Sequence, residues 1–137
     1  MNVQRAVVTG IVLIILFAAI EFVVHGVMLH DMYMQTASVW RTEGQMKELM
    51  YMMLIGEAIF AFFFAVIFAV GYDTSKPASG QGFRFGLLMA CLIAPFSALS
   101  WYVILPIPGI LAVYWFIADF ITMIVLGIVA GLIYKAR

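Results

Sequence analysis

Charge is scarce in this sequence. Only 10% of the 137 residues are charged, against 66% hydrophobic and a mean hydropathy of +1.15. A water-soluble domain carries roughly 25% charged residues, so there is too little charge to cover a wetted surface and lipid is the expected solvent. Net charge is zero, which leaves no basic footprint for nucleic acid. The single cysteine, Cys91, excludes an internal disulfide and, set in an apolar run, reads as a packed residue. A Gly-rich phosphate loop, a Cys-x-x-Cys pair, a nucleophile elbow and an HExxH zinc motif are all missing, so an enzymatic role is not expected. His25 and His30 are the only histidines. At ~140° apart around one helix they cannot clamp a haem between them.

What is present is long apolar runs. A spanning helix needs about 20 mostly apolar residues to cross a ~30 Å hydrocarbon core, and four stretches qualify: 6–29, 49–71, 85–105 and 110–134. The first follows Arg5 but is longer than a signal-peptide core, lacks a clear cleavage site and precedes three more runs, so it reads as a true helix. The expected fold is all-α: a bundle of four transmembrane helices forming one integral membrane domain over 1–137, with an outer loop at 30–48. Within that loop Thr42-Glu43-Gly44-Gln45 fits a capping box and predicts that the second long helix starts outside the membrane. Asp73 to Gln81 reads as a polar flexible loop, and Leu105-Pro106-Ile107-Pro108-Gly109 as a tight turn.

Lys and Arg set the expected orientation. With the N-terminus inside, Arg5, Lys76, Arg84, Lys135 and Arg137 lie on the inner side and only Arg41 and Lys47 on the outer, which favours both termini cytoplasmic, as in a bacterial inner membrane. Tyr33, Trp40, Tyr51, Trp101, Tyr102, Tyr114 and Trp115 then form an outer aromatic girdle, with Tyr72 and Tyr134 at the inner one. Small residues recur every fourth position at Gly82, Gly86, Ala90, Ala94 and Ala98, and again at Ala61, Ala65 and Ala69, the pattern that lets helices approach closely in lipid. Gly127 and Gly131 offer the same on the last helix. Phe60, Phe62, Phe63, Phe64 and Phe68 are expected to face lipid or a partner.

Four ionisable residues stand where they are expensive. Glu21, His25, Glu57 and Asp119 lie within apolar runs, where a charged side chain costs at least ~2.5–3.5 kcal/mol at the helix centre. At 1.5 Å per residue, Glu21 and Glu57 lie ~12 Å, His25 ~6 Å and Asp119 ~14 Å below the outer boundary, with Ser97 and Ser100 in the same layer. Glu21 and His25 are one turn apart and share a face. No Lys or Arg of the spans offsets the carboxylates, so either some are protonated or a cation sits among them. Glu21, His25, Glu57 and Asp119 are therefore a candidate site for a proton or a divalent metal ion, serving binding or conduction. The doubled Glu-x-x-His pattern of carboxylate-bridged helical metal sites is absent.

Met28, His30, Met32 and Met34 form a secondary candidate for copper, since thioether and imidazole suit copper(I); methionine also fills irregular gaps. Two further readings stay open. The polar cluster is a hydrogen-bonded register lock, or the chain is an accessory subunit without chemistry of its own. Four spans leave little interior volume, so beside the lipid bilayer the expected partners are further copies or other membrane subunits.

Overall fold

The structure is a computed structural model and describes residues 1–134, so Lys135 and Arg137 of the basic-residue count lie outside the described residues. Among the described residues there are five α-helices and no strand. Helix α1 (Val3–Glu21) runs without a break into a π-helical segment, Phe22–Met28. A short α2 (His30–Gln35) and a 3-10 turn at Ala37–Val39 follow, then α3 (Glu43–Val70), α4 (Ala78–Ile104) and α5 (Gly109–Tyr134). Four helices are long and apolar enough to cross a membrane: Val3–Met28, Glu43–Val70, Ala78–Ile104 and Gly109–Tyr134. Their 26 to 28 residues reach about 40 Å at 1.5 Å per residue, more than the hydrocarbon core needs.

The helix starts are written in local chemistry. Asn2 caps α1, its side-chain oxygen accepting from the Arg5 amide at 3.1 Å. At α3 both halves of the capping box form: the Gln45 amide donates to Thr42 Oγ1 at 3.4 Å, and the Thr42 amide to Gln45 Oε1 at 3.2 Å. This start at Glu43 lies ahead of the apolar run, because satisfied amides let a helix begin in water. Helix α4 also begins early, directly after Pro77, whose backbone is still non-helical. The α3–α4 connection is not loose. Gln81 accepts from the Asp73 amide at 2.8 Å and donates to the carbonyls of Asp73 and Lys76 at 2.8 and 3.0 Å, stitching the loop onto α4.

Helix α1 packs on α3 and on α5, and α5 packs most extensively on α4. The α4–α5 seam is made of backbone. Gly82, Gly86, Ala90, Ala94 and Ala98 are all buried, and a Cβ on Gly127 would sit 2.4 Å from the Gly82 carbonyl oxygen and 2.5 Å from Gly86 Cα. Across the bundle Ala61, Ala65 and Ala69 are buried with Ala6 and Leu13. The phenylalanines divide. Phe63 is exposed, but Phe64 and Phe68 are buried at 1% and 3%, correcting the expectation that all five face outward. Both rings meet Phe85 of α4, with centroids 4.8 and 5.5 Å away, closing the bundle where α3 and α4 approach. Phe64 and Phe68 each stand three residues after one alanine of the stripe and one before the next, which puts them on the same arc of the helix.

Residues 2 and 134 lie at the same end. The Asn2 amide donates to the Tyr134 hydroxyl at 2.8 Å and Arg5 Nη1 to the Tyr134 carbonyl at 3.4 Å. The opposite end carries α2 and the 3-10 turn, folded down over Leu29, Ile107 and Leu111 with Met32, Val39 and Leu105 packed against them.

Candidate functional site

The site forms where α1 changes its winding. Glu21 is the last α-helical residue, and from Phe22 to Met28 the chain winds as a π-helix, closed by the Leu29 amide donating to the Val24 carbonyl at 2.9 Å. π-helical turns are rare and gather at functional sites. Here the wider turn carries His25, whose Nε2 stands 3.3 Å from Glu21 Oε2. Both side chains are partly covered, at 34% and 22% exposure, so this is neither a wetted surface pair nor a sealed one.

The other imidazole nitrogen is held from the cap. His25 Nδ1 lies 2.5 Å from the Tyr33 hydroxyl on α2, and Trp115 Nε1 of α5 donates to the same hydroxyl at 2.7 Å. An indole N–H can only donate. The Tyr33 oxygen therefore accepts from Trp115, and its own proton is free to go to His25 Nδ1 when the imidazole carries its proton on Nε2, the nitrogen toward Glu21. Four side chains thus form one directed series, Trp115 to Tyr33 to His25 to Glu21.

Ring packing holds the series in place. Tyr33 stacks on His25 with centroids 5.9 Å apart and 20° between planes. Trp40 meets Tyr33 edge-on at 5.4 Å and Trp115 at 6.1 Å. Trp40 Nε1 donates to Thr36 Oγ1 at 2.9 Å, which donates on to the Met32 carbonyl at 2.9 Å, so the cap's own polar groups close on each other. Burial pushes the Tyr33 phenol up to about 12; the Trp115 hydrogen bond opposes this, and the nearby Glu21 and Asp119 carboxylates add to it.

Asp119 and Glu57 complete the acidic layer. Glu21 stands within electrostatic reach of both. Asp119 is one turn below Trp115 on α5 and beside the Ser97 hydroxyl of α4. Glu57 is half-buried on α3, one turn beyond the buried Ala61. Glu21 is thus paired with His25 and within electrostatic reach of Asp119 and Glu57, all four side chains being partly exposed. Among the described residues no three His, Cys, Asp or Glu side chains are grouped closely enough to hold a metal ion. Of the methionine–histidine set, Met28 and Met34 are exposed at 70% and 63%, His30 is exposed too, and Met32 is turned onto the Leu29 cluster, so the four do not share a face.

Tyr33 and Trp115 are the site residues that sequence reasoning places only in the aromatic girdle. One signal for Trp115 is its position four residues before Asp119, which puts both on one face of α5. Comparison with protein-family models, with curated proteins and with solved structures gives no match.

Proposed function

We propose that this chain is an integral membrane protein that binds or conducts a small cation, the proton, at Glu21 with His25, Asp119 and Glu57 around it. The observation that carries this reading is the series ending at Glu21, with three carboxylates in the apolar runs 6–29, 49–71 and 110–134, which hold no Lys or Arg to offset them. Carboxylates in a poorly solvated layer exchange protons more readily than they stay charged. A proton needs only one oxygen, whereas a divalent metal needs several ligands at bonding distance, and no such group of three is present among the described residues. Both termini are cytoplasmic in this reading, in a bacterial inner membrane, so the cap formed by α2 faces outward.

The test is proton uptake by the purified protein in nanodiscs, read from the infrared stretch of protonated carboxyl groups as pH is lowered. Glu21→Gln should remove a large part of that band, and Asp119→Asn should shift the remainder, because the two groups share one field. A band unchanged in both variants refutes the assignment. Stoichiometric zinc or manganese in the purified wild type, lost in Glu21→Gln, transfers the site to a divalent metal.

A second reading, an accessory subunit, draws on a different observation. From Glu43 to Gly56 every residue of α3 is exposed, so this half-helix stands clear of the bundle on all faces. A second copy or another membrane subunit packed there would cover Met46, Met50 and Met53, which lie along one side. Co-purification of a stoichiometric partner, or a stable homo-oligomer, with no carboxyl titration favours this reading over the first.

A further inference from the structure

We propose that Tyr33 and His25 form the entrance through which protons reach Glu21 from the capped end of the bundle, with Tyr33 holding the imidazole in the tautomer that makes the transfer possible. This rests on the proton-site reading above and adds the route and its side. The Trp115 indole fills one acceptor position of the Tyr33 oxygen at 2.7 Å, leaving the Tyr33 hydroxyl proton to point at His25 Nδ1, 2.5 Å away. The proton of the imidazole then sits on Nε2, 3.3 Å from Glu21 Oε2. That last separation is slightly beyond an ordinary hydrogen bond of about 2.7–3.2 Å, as relay contacts at rest commonly are.

The transfer balances. A hydronium ion at the cap gives its proton to the Tyr33 oxygen, Tyr33 passes its own hydroxyl proton to His25 Nδ1, and His25 Nε2 passes its proton to Glu21 Oε2. Three bonds to hydrogen break and three form. Hydronium becomes water, the Glu21 carboxylate becomes a neutral acid, and the imidazole ends neutral with its proton on Nδ1; when Glu21 releases its proton, transfer in the reverse sense along the same three groups restores the Nε2–H form. Glu21 on α1 and Tyr33 on α2 contact His25; Glu21 is in turn within electrostatic reach of Glu57 on α3 and Asp119 on α5, and Asp119 is beside the uncharged Ser97 of α4. Among these groups, His25 alone joins the cap to the carboxylates through contacts on both ring nitrogens. Tyr33, Trp40 and Trp115 pack their rings against one another beside His25 at that end.

The experiment is a pH jump on the full-length protein in nanodiscs, following the carboxyl band with time in wild type, Tyr33→Phe, His25→Gln and the double variant. Phenylalanine keeps the ring and its stacking and removes only the hydroxyl. Each single variant should slow uptake about a hundredfold or more, the scale on which positioned proton transfer contributes to rates. The double variant should be no slower than His25→Gln, since both act on one path. Imidazole nitrogen resonances of the wild type should show a protonated Nε2 and an unprotonated, hydrogen-bonded Nδ1, a readout that does not depend on any variant folding. Tyr33→Phe as fast as wild type, or an Nδ1-protonated neutral imidazole, overturns the relay while leaving the proton site standing. A wild type with no titrating carboxyl overturns both.

Discussion

Gly127→Ala should loosen the whole molecule, because the atom it adds has nowhere to go. A Cβ at this position would lie 2.4 Å from the Gly82 carbonyl oxygen, 2.5 Å from Gly86 Cα and 2.6 Å from the Gly86 nitrogen. All three are backbone atoms of α4, so no side chain can swing aside, and the seam must open by roughly 1 Å to restore carbon contacts of about 3.5 Å. Overpacking of this kind costs about 1–3 kcal/mol, and a clash with backbone belongs at the upper end. Alanine returns up to about 1 kcal/mol as a better helix former than glycine. The net is a loss of about 2 kcal/mol, or roughly thirtyfold in the folded-to-unfolded ratio. Gly44→Ala provides the control. Nothing lies within 4 Å of a Cβ there, so the propensity gain stands alone and the variant should match or exceed wild type.

The assay is reversible unfolding in mixed detergent micelles, followed by near-ultraviolet circular dichroism of the tryptophans in wild type and both variants. Gly82→Ala meets the same contact from the other side, 2.3 Å from the Gly127 carbonyl oxygen. Combined with Gly127→Ala it should therefore cost less than the sum of the two. Equal stability of Gly127→Ala and wild type, or a larger loss for Gly44→Ala, would refute the claim that backbone contact between α4 and α5 holds the bundle.

Two further outcomes concern the site. Tyr33, raised to about 12 by burial, is neutral in the fold and ionises in the unfolded chain near pH 10; its contribution to stability is therefore complete below about pH 10 and disappears as pH climbs through about 12. A spectrophotometric phenolate titration of wild type minus Tyr33→Phe should show one tyrosine ionising late and together with loss of the cap's tryptophan signal; ionisation near pH 10 with the cap intact would count against its burial. Glu57→Gln should fold as well as wild type or better, since it removes a costly charge from the apolar layer while keeping the shape, and should reduce proton uptake; unchanged uptake with loss of a co-purifying subunit would favour the accessory role.

Packing was legible in the sequence where one residue type carries one meaning. Small residues at every fourth position of α4 have no reason to recur except close approach, and Gly82 through Ala98 are buried as that pattern implies. The Thr42–Gln45 box is similar: two side chains at fixed spacing satisfy two amides, and both bonds form. Phenylalanine carries no such meaning, because a bulky ring suits lipid and core equally. Which ring goes inward follows from its angle to the alanine stripe, and that angle places Phe64 and Phe68 beside Ala61 and Ala65 while Phe63 falls outside.

The site was half legible, for a geometric reason. Glu21, His25 and Asp119 declare themselves by their cost in an apolar run, and a ruler of 3.6 residues per turn relates them as long as the helix stays regular. It does not stay regular: after Glu21 the winding widens to a π-helix, and after Leu29 the chain folds back as α2. No periodicity spans that break, so the pairing of His25 with Tyr33, eight residues on, lies beyond any face-matching argument. The site contacts of Trp115 and Tyr33 escape the sequence for a second reason. At a membrane boundary an indole N–H or a phenol O–H ordinarily finds water or a headgroup, and girdle membership then explains the residue fully. Here the two polar handles are spent on each other and on His25 instead. An aromatic belt residue whose hydrogen-bonding group turns inward has given up its solvation, and it recovers that loss only if an acceptor waits inside. The imidazole is that acceptor, which makes this stretch of girdle and the polar site a single structure.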